Sequence, residues 1–328
     1  MKKRKLGKNG PVVSAIGLGC MGMSEFYGKS DDKTSSEIIM AALDLGITML
    51  DTADMYGSGH NEELIGRTLN NYSGELFIAT KCGIQRKPGE YARTINNSPE
   101  YIRTSVENSL KRLRRETIDL FYLHRVNREI PLAESIGTLA DLVKEGKIRY
   151  IGLSEVSVST LEEANDVYPV TAVQTEYSLT TRDAEKELLP FLEKTGTGFV
   201  PYSPLGRGLL TAKLDKTAVS AEGDLRKFLP RTGEIFFEEN MKTVNLLQKH
   251  AEQAGYTPAQ IALAWILSRN DSYVPIPGTR HNKYLIENCK AVEIRLSEET
   301  KAFLERLFTQ GSIHGERYTE EGMKGLNS

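Results

Sequence analysis

GLGCMG, residues 17–22, decides what fold the chain can have. The glycine spacing is that of a dinucleotide fingerprint, and Glu37 stands twenty residues past Gly17. Such a fingerprint requires a helix that begins inside the glycines, so that its N-terminus meets the pyrophosphate. Here MSEFYGKSDD follows instead, rich in turn residues. The helical periodicity of Ile38, Ile39, Ala42 and Leu43 starts only near Asp32. The glycines therefore end a first strand and open a loop, in which Met21, Met23 and Tyr27 are expected to line a pocket.

Working outward, short apolar runs recur along the chain. They are Ala15–Gly19, Ile47–Leu50, Leu76–Ala79, Leu120–Leu123, Ile148–Leu153, Thr171–Gln174, Gly198–Tyr202 and Tyr273–Ile276, eight in all. Amphipathic stretches separate them, such as Ile102, Val106, Leu110 and Leu113 on one helical face. Ser98-Pro99-Glu100 and Thr257-Pro258 read as helix starts. Eight strand-then-helix units imply an α/β protein built as a (β/α)8 TIM barrel; a doubly wound open sheet is the second choice. Lys3–Leu6 and Val12–Ala15 are expected to form an N-terminal β-hairpin turning at Lys8-Asn9-Gly10. Two features interrupt the alternation. Gly206–Thr243, after the seventh strand, is a long charged loop, and the stretch from Leu296 carries an extra C-terminal helix and a tail. With no linker, residues 1–328 are expected to form a single barrel domain.

Composition narrows the function classes. A net charge of −2 gives no reason to expect nucleic acid or a membrane surface as partner. No apolar run is long enough to cross a bilayer. Cys20, Cys82 and Cys289 are odd in number and far apart, which fits a cytoplasmic location. The basic start before PVVSAIGLGC lacks a continuous apolar helix and an A-x-A site, so no cleaved signal is expected.

Catalytic residues of such barrels come from the carboxyl ends of the strands. Those ends carry Asp51, Lys81, His124, Ser154 with Glu155, Gln174, Tyr202 with Ser203, and Gly278-Thr279-Arg280. Tyr56 follows Asp51 in DTADMYG. A free phenol is too weak an acid for neutral pH, but an ammonium beside it favours the phenolate. Lys81 can supply that charge, with Asp51 keeping the buried lysine charged. His124 can orient a carbonyl oxygen. Such a set suits proton donation to a carbonyl becoming an alkoxide, with hydride delivery as the partner step.

DTADMYG, IATKCG, DLFYLHRVN, IGLSEVS, VQTEYSL, PYSPLGRGLLTAKL and PIPGTRHNKYLIEN resemble, in order, the successive motifs of the aldo-keto reductase superfamily. The likeness runs from the hairpin to about residue 310. It is greatest to the bacterial and plant branch of auxin-induced-type, perakine and pyridoxal reductases. The resemblance implies NADPH-dependent reduction of a small aldehyde or ketone, with Tyr56 as acid and Asp51, Lys81 and His124 around it. It implies that Ser154 and Gln174 hold the nicotinamide carboxamide and that Tyr202 stacks on its ring. Ser203, Leu205, Gly206 and Gly208 would run under the pyrophosphate. Gly278, Thr279, Arg280, Glu287 and Asn288 would hold the adenosine end. Glu155 stands where many relatives have asparagine. Tyr284 stands where some have the arginine for the 2′-phosphate, a task left to Arg280 or Lys283, with NADH the less expected coenzyme. No metal is expected.

Three other functions fit parts of the pattern. A Schiff-base aldolase would use Lys81. Metal-dependent hydrolysis would use Asp51, Asp54 and His124, with a single histidine to serve it. A cofactor-sensing subunit would bind NADPH with little turnover. Asp54 reads as a turn residue, Trp265 as core, and the remaining histidines as surface or loop residues. Arg226, Lys227 and Arg231 read as a solvated loop or, more sharply, a clasp over phosphates.

Overall fold

The structure, a computed structural model, describes residues 1–86, 93–219 and 222–327. The hairpin pairs β1 (Lys3–Lys5) with β2 (Val12–Ser14) antiparallel, closed by Leu6 N–H donating to the Pro11 carbonyl at 2.8 Å. Seven parallel strands follow it around the barrel: β3 (Leu18–Gly19), β4 (Met49–Asp51), β5 (Phe77–Cys82), β8 (Ile118–Leu123), β9 (Ile148–Ser154), β10 (Ala172–Glu176) and β11 (Gly198–Tyr202). Between β5 and β8, β6 (Ile84–Arg86) and β7 (Arg93–Ile95) form a second antiparallel hairpin at the barrel mouth.

The eighth run is not a regular strand, and the sequence says why. Pro275 and Pro277 have no N–H, so only every second residue can donate. Val274 and Ile276 donate to the Phe199 and Pro201 carbonyls at 3.0 and 3.1 Å. On the other side, the carbonyls of Pro275 and Pro277 accept from Gly17 and Gly19 at 2.9 and 3.3 Å. These half-ladders close the ring between β11 and β3, as the (β/α)8 expectation requires.

The helices lie where the apolar periodicity put them. α1 (Asp32–Asp44), α2 (His60–Thr68), α3 (Pro99–Leu113), α4 (Leu132–Lys144), α5 (Val158–Val167) and α6 (Leu188–Thr195) each follow a barrel strand. Ser98 caps α3, with Pro99 in its first turn. The long stretch after β11 holds the short α7 (Lys216–Val219), then α8 (Phe237–Gln253). The expected loop to Thr243 therefore ends at Phe237, because Phe237, Asn240, Val244 and Leu247 already form a buried helical face. α9 (Pro258–Arg269) opens on a Thr257–Gln260 capping box, and α10 (Asn282–Lys290) and α11 (Glu298–Leu307) complete the ring and its C-terminal addition. α12 (Glu320–Met323) lies in the tail.

Two apolar layers hold this frame. Leu6 and Val13 of the hairpin region pack inside the barrel with Met49, Phe77, Leu120, Val200 and Ile276, plugging its floor. The larger layer lies between strands and helices, with Trp265 stacked on Tyr177 at 5.3 Å. With the floor filled by carbon, polar side chains gather at the carboxyl ends of the strands. Among the described residues, no helix is long and apolar enough to cross a membrane.

Candidate active site

At the mouth lies a cavity of about 1140 Å³. Asp51, Tyr56, His124, Ser154, Gln174, Tyr202, Ser203, Leu205, Gly208, Gly278, Thr279, Arg280, Glu287 and Asn288 line it. It is larger than most small-molecule pockets, as a dinucleotide with a second substrate requires. Met21, Met23 and Tyr27 line it too, as expected of the loop after GLGCMG.

Lys81, fully buried on β5, donates to Asp51 Oδ1 at 2.5 Å and to the Thr52 carbonyl at 2.6 Å. Gln174 Nε2 holds the other Asp51 oxygen at 2.8 Å. Burial raises the Asp51 carboxyl above its ordinary range, against the pull of Lys81 and Gln174. Lys81 Nζ lies 5.2 Å from the Tyr56 ring centre, and the Tyr56 and His124 rings meet edge-on at 5.9 Å. Three strand ends thus bring Asp51, Tyr56, Lys81 and His124 together.

The electrostatics differ from the expectation in one respect. The Tyr56 hydroxyl is pushed well above the usual phenol range, first by burial and then by the Asp51 carboxylate. The Lys81 charge is already matched by Asp51, so it does not cancel the desolvation of a phenolate. His124 goes the opposite way: burial, then the charges of Lys81, Arg125 and Arg93, hold it well below its ordinary value. Its imidazole is neutral at pH 7, and its Nδ1 is buried without a partner among the described residues. The cluster offers a protonated phenol and a neutral imidazole, both donors.

The remaining predicted residues divide into those whose polar groups are free to meet a ligand and those already engaged. Ser154 Oγ accepts from Arg125 at 3.3 Å, and Gln174 Nε2 donates to Asp51, leaving its second N–H and its carbonyl oxygen. Tyr202 shares a 3.0 Å hydroxyl contact with Tyr318 of the tail. The amides of Gly206 and Gly208 donate within their own turn, to Ser203 and Leu205 carbonyls at 2.9 and 3.0 Å. These glycines let the chain curl, since Gly208 sits at φ +98°, a conformation that L side chains rarely adopt. Gly278 approaches the Gly19 backbone so closely that a Cβ would stand 2.8 Å from its carbonyl oxygen. Arg280 spends its guanidinium on the Tyr27 and Lys29 carbonyls at 2.7 and 2.5 Å, bracing the first loop. Glu287 accepts from Thr257 at 2.7 Å. Lys283 is exposed, while Lys213 reaches the cavity over the Tyr284 ring at 5.0 Å. Arg226 lines the cavity, bound to Asp224 at 2.6 Å, whereas Arg231 ties Thr181 to the tail.

A family model described as aldo/keto reductase matches residues 15–307. The chain belongs to the aldo/keto reductase family. Among its aldo/keto reductase relatives is "Aldo-keto reductase yakc [NADP(+)]" of Schizosaccharomyces pombe, 40% identical over 320 residues, which span 96% of this chain and 94% of that protein. "Probable aldo-keto reductase 1" of Glycine max is 42% identical over 316 residues, covering 96% of this chain and 91% of the other. The solved structure of the glycerol dehydrogenase AKR11B4 from Gluconobacter oxydans superposes with a TM-score of 0.84 at 31% identity, covering 93% and 94% of the two chains.

Within this aldo/keto reductase, the sequence did not reveal how the tail is tied down. Glu155, buried at φ +56°, binds Arg317 through both oxygens at 3.0 Å. Arg207 binds Glu176 at 2.6 Å and lies over the Tyr318 ring at 4.1 Å. Glu155, the departure from asparagine, thus anchors the tail as one wall of the cavity. No periodic pattern in residues 312–319 signals this, and the pairing joins positions 162 residues apart.

Asp54 is more than a turn residue. Its Oδ1 is shut off from solvent without a partner, and burial with the nearby Glu62 charge pushes its carboxyl up to about 8. Between its unfolded value near 4 and pH 8, the native state keeps a proton that the unfolded state has lost, so stability falls as pH rises. Asp54→Asn is expected to remove that fall: its melting temperature should exceed the wild type's increasingly from pH 5 to pH 9. Parallel curves for the two proteins would refute the assignment.

Proposed function

We propose that the chain is an NADPH-dependent carbonyl reductase acting on a small aldehyde or ketone, with Tyr56 as proton donor. The observation that carries the proposal is the convergence of a protonated Tyr56 and a neutral His124 on one cavity wall, backed by the Asp51–Lys81 pair. The residues fit the cofactor. The cavity, about 1140 Å³, is large enough, and Lys213, Arg226 and Arg280 place cations on its wall. Ser154 and Asn288 keep side-chain polar groups at the cavity wall for the two ends of a dinucleotide. Ser203, Leu205 and Gly208 line it, with Gly206 in the same turn, and Tyr202 offers a ring face. When bound, NADPH supplies the hydride.

The chain's own residues then act as follows. His124 donates an N–H to the substrate oxygen and orients it. Tyr56 donates its proton to that oxygen as charge develops there. A high phenol pKa does not forbid this, because an alkoxide is a far stronger base than a phenolate. Lys81 limits the cost of the phenolate once it forms, and Asp51 with Gln174 keeps the ammonium in place. Lys81 is already spent on two oxygens, which argues against a Schiff-base role.

The fission-yeast relative is named for NADP(+), and the cations at the adenosine end suit a 2′-phosphate; NADPH is therefore the preferred coenzyme. Residues 1–328 work as one barrel domain. We place the protein in the cytoplasm, in keeping with its three free thiols; activity recovered outside that fraction would overturn this. The test of function is NADPH consumption with a panel of aromatic aldehydes, quinones and sugar-derived carbonyls, with NADH in parallel. Turnover with NADPH at least about tenfold above NADH is expected. Tight NADPH binding without turnover of any carbonyl would favour the sensor alternative.

A further inference from the structure

Two cations at the substrate end of the cavity have no task in this mechanism. Arg125, directly after His124, is only 4% exposed. Its Nη1 donates to the His124 carbonyl at 2.6 Å and to Ser154 Oγ at 3.3 Å. Its Nε is buried with no acceptor, and Nη2 has none among the described residues. Arg93, on β7, lines the same cavity and, among the described residues, donates to the Gly322 carbonyl at 3.3 Å. Among the described residues neither has a carboxylate within 4.0 Å, whereas Arg86, Arg112, Arg207, Arg226 and Arg317 each close on one. Of the described acids nearby, Glu155 is bound by Arg317, Glu321 by Lys324 and Glu25 by Arg86.

The two arginines share a rigid frame. Asn127 Nδ2 donates to the Ile95 carbonyl at 2.9 Å, and the Asn127 amide donates to Asn97 Oδ1 at 2.6 Å. Asn97 in turn donates to the Arg125 carbonyl at 3.1 Å. Arg93 is lowered from its ordinary value by burial and then by the Arg125 charge, so the two guanidiniums feel each other. Burial works against the Arg125 charge and Tyr202 and Glu155 favour it, but its Nε still has no hydrogen-bond acceptor among the described residues, so N–H donors remain for an added anion. Guanidinium groups recognise carboxylate and phosphate through paired N–H donors. The cations proposed above for the cofactor's phosphates are Lys213, Arg226 and Arg280, whereas the charges of Arg125 and Arg93 both act on His124.

We propose that Arg93 and Arg125 form an anion subsite selecting carbonyl substrates that carry a carboxylate or phosphate monoester near the reacting carbon. The proposal rests on the carbonyl-reductase reading. It is tested with two matched pairs, 4-carboxybenzaldehyde against methyl 4-formylbenzoate, and glyceraldehyde 3-phosphate against glyceraldehyde. The wild type should favour the anionic member of at least one pair by about tenfold in kcat/KM, and the pair that responds identifies the anion. Arg93→Met should bring that ratio toward one, chiefly through KM, with Arg93→Lys in between. Arg125→Met should do the same, but it also breaks a bond to the His124 carbonyl, so Arg93→Met decides. Benzoate should inhibit competitively against aldehyde, and about tenfold more weakly in Arg93→Met. Ratios near one in the wild type, or a ratio unchanged in Arg93→Met, would overturn the subsite alone. No turnover of any of the four, or of neutral aldehydes in the wider panel, would remove the reductase reading itself.

Discussion

Tyr56→Phe is expected to lower kcat/KM for aldehyde reduction about 1,000-fold while the Kd for NADPH stays within about twofold. The substitution removes one oxygen and leaves the ring, so the edge contact with His124 and the Lys81 ammonium over the ring both survive. The residues proposed for the adenosine end, Gly278 to Asn288, lie on other loops and lose nothing. The loss should therefore fall on kcat, as for an interaction made only in the transition state. Titration of cofactor fluorescence gives the Kd, and steady-state NADPH oxidation gives the rate. A variant keeping more than about a tenth of the activity would remove Tyr56 as the acid. The pH profile offers a second check. Tyr56 is raised and His124 lowered, so neither changes its protonation near neutrality, and kcat/KM for reduction should be flat there.

The barrel was legible because its signals are local. Each apolar run followed by an amphipathic stretch is one unit, and counting them gives the fold. The last run was legible as apolar but not as irregular, although Pro275 and Pro277 stood in plain view. The clustering of Asp51, Lys81 and His124 was legible because barrel topology turns strand ends into neighbours, so no long-range contact prediction was needed. The burial of Tyr56 was not legible, since desolvation depends on how the tail and loops close over the mouth. Nor were the uses of Gln174, Gly206, Gly208 and Arg280. Each is a hydrogen bond chosen in three dimensions among several partners of similar chemistry. Arg125 carried a signal that went unread: a second cationic group directly after His124 at the end of an apolar run.

Lys81→Met separates the structural work of the buried pair from its chemical work. Lys81 is fully buried and Asp51 is 3% exposed, so removing the ammonium leaves a carboxylate in the protein interior with Gln174 as its remaining side-chain partner. Breaking such a pair costs about 3–5 kcal/mol, and the urea midpoint should fall accordingly at unchanged m. The deficit should shrink on acidification. Without Lys81, burial raises the native Asp51 carboxyl further above its unfolded value, so the folded variant gains from protonation and loses stability as pH rises. Replacing both partners, Asp51→Asn with Lys81→Met, removes the uncompensated charge and should recover most of the stability at pH 7. Activity should not return with it, because the ammonium beside Tyr56 is still missing. A double variant that is stable and active would show that Lys81 serves the fold alone. One that is stable and inactive shows that the Asp51–Lys81 pair serves the proton transfer and not the fold alone.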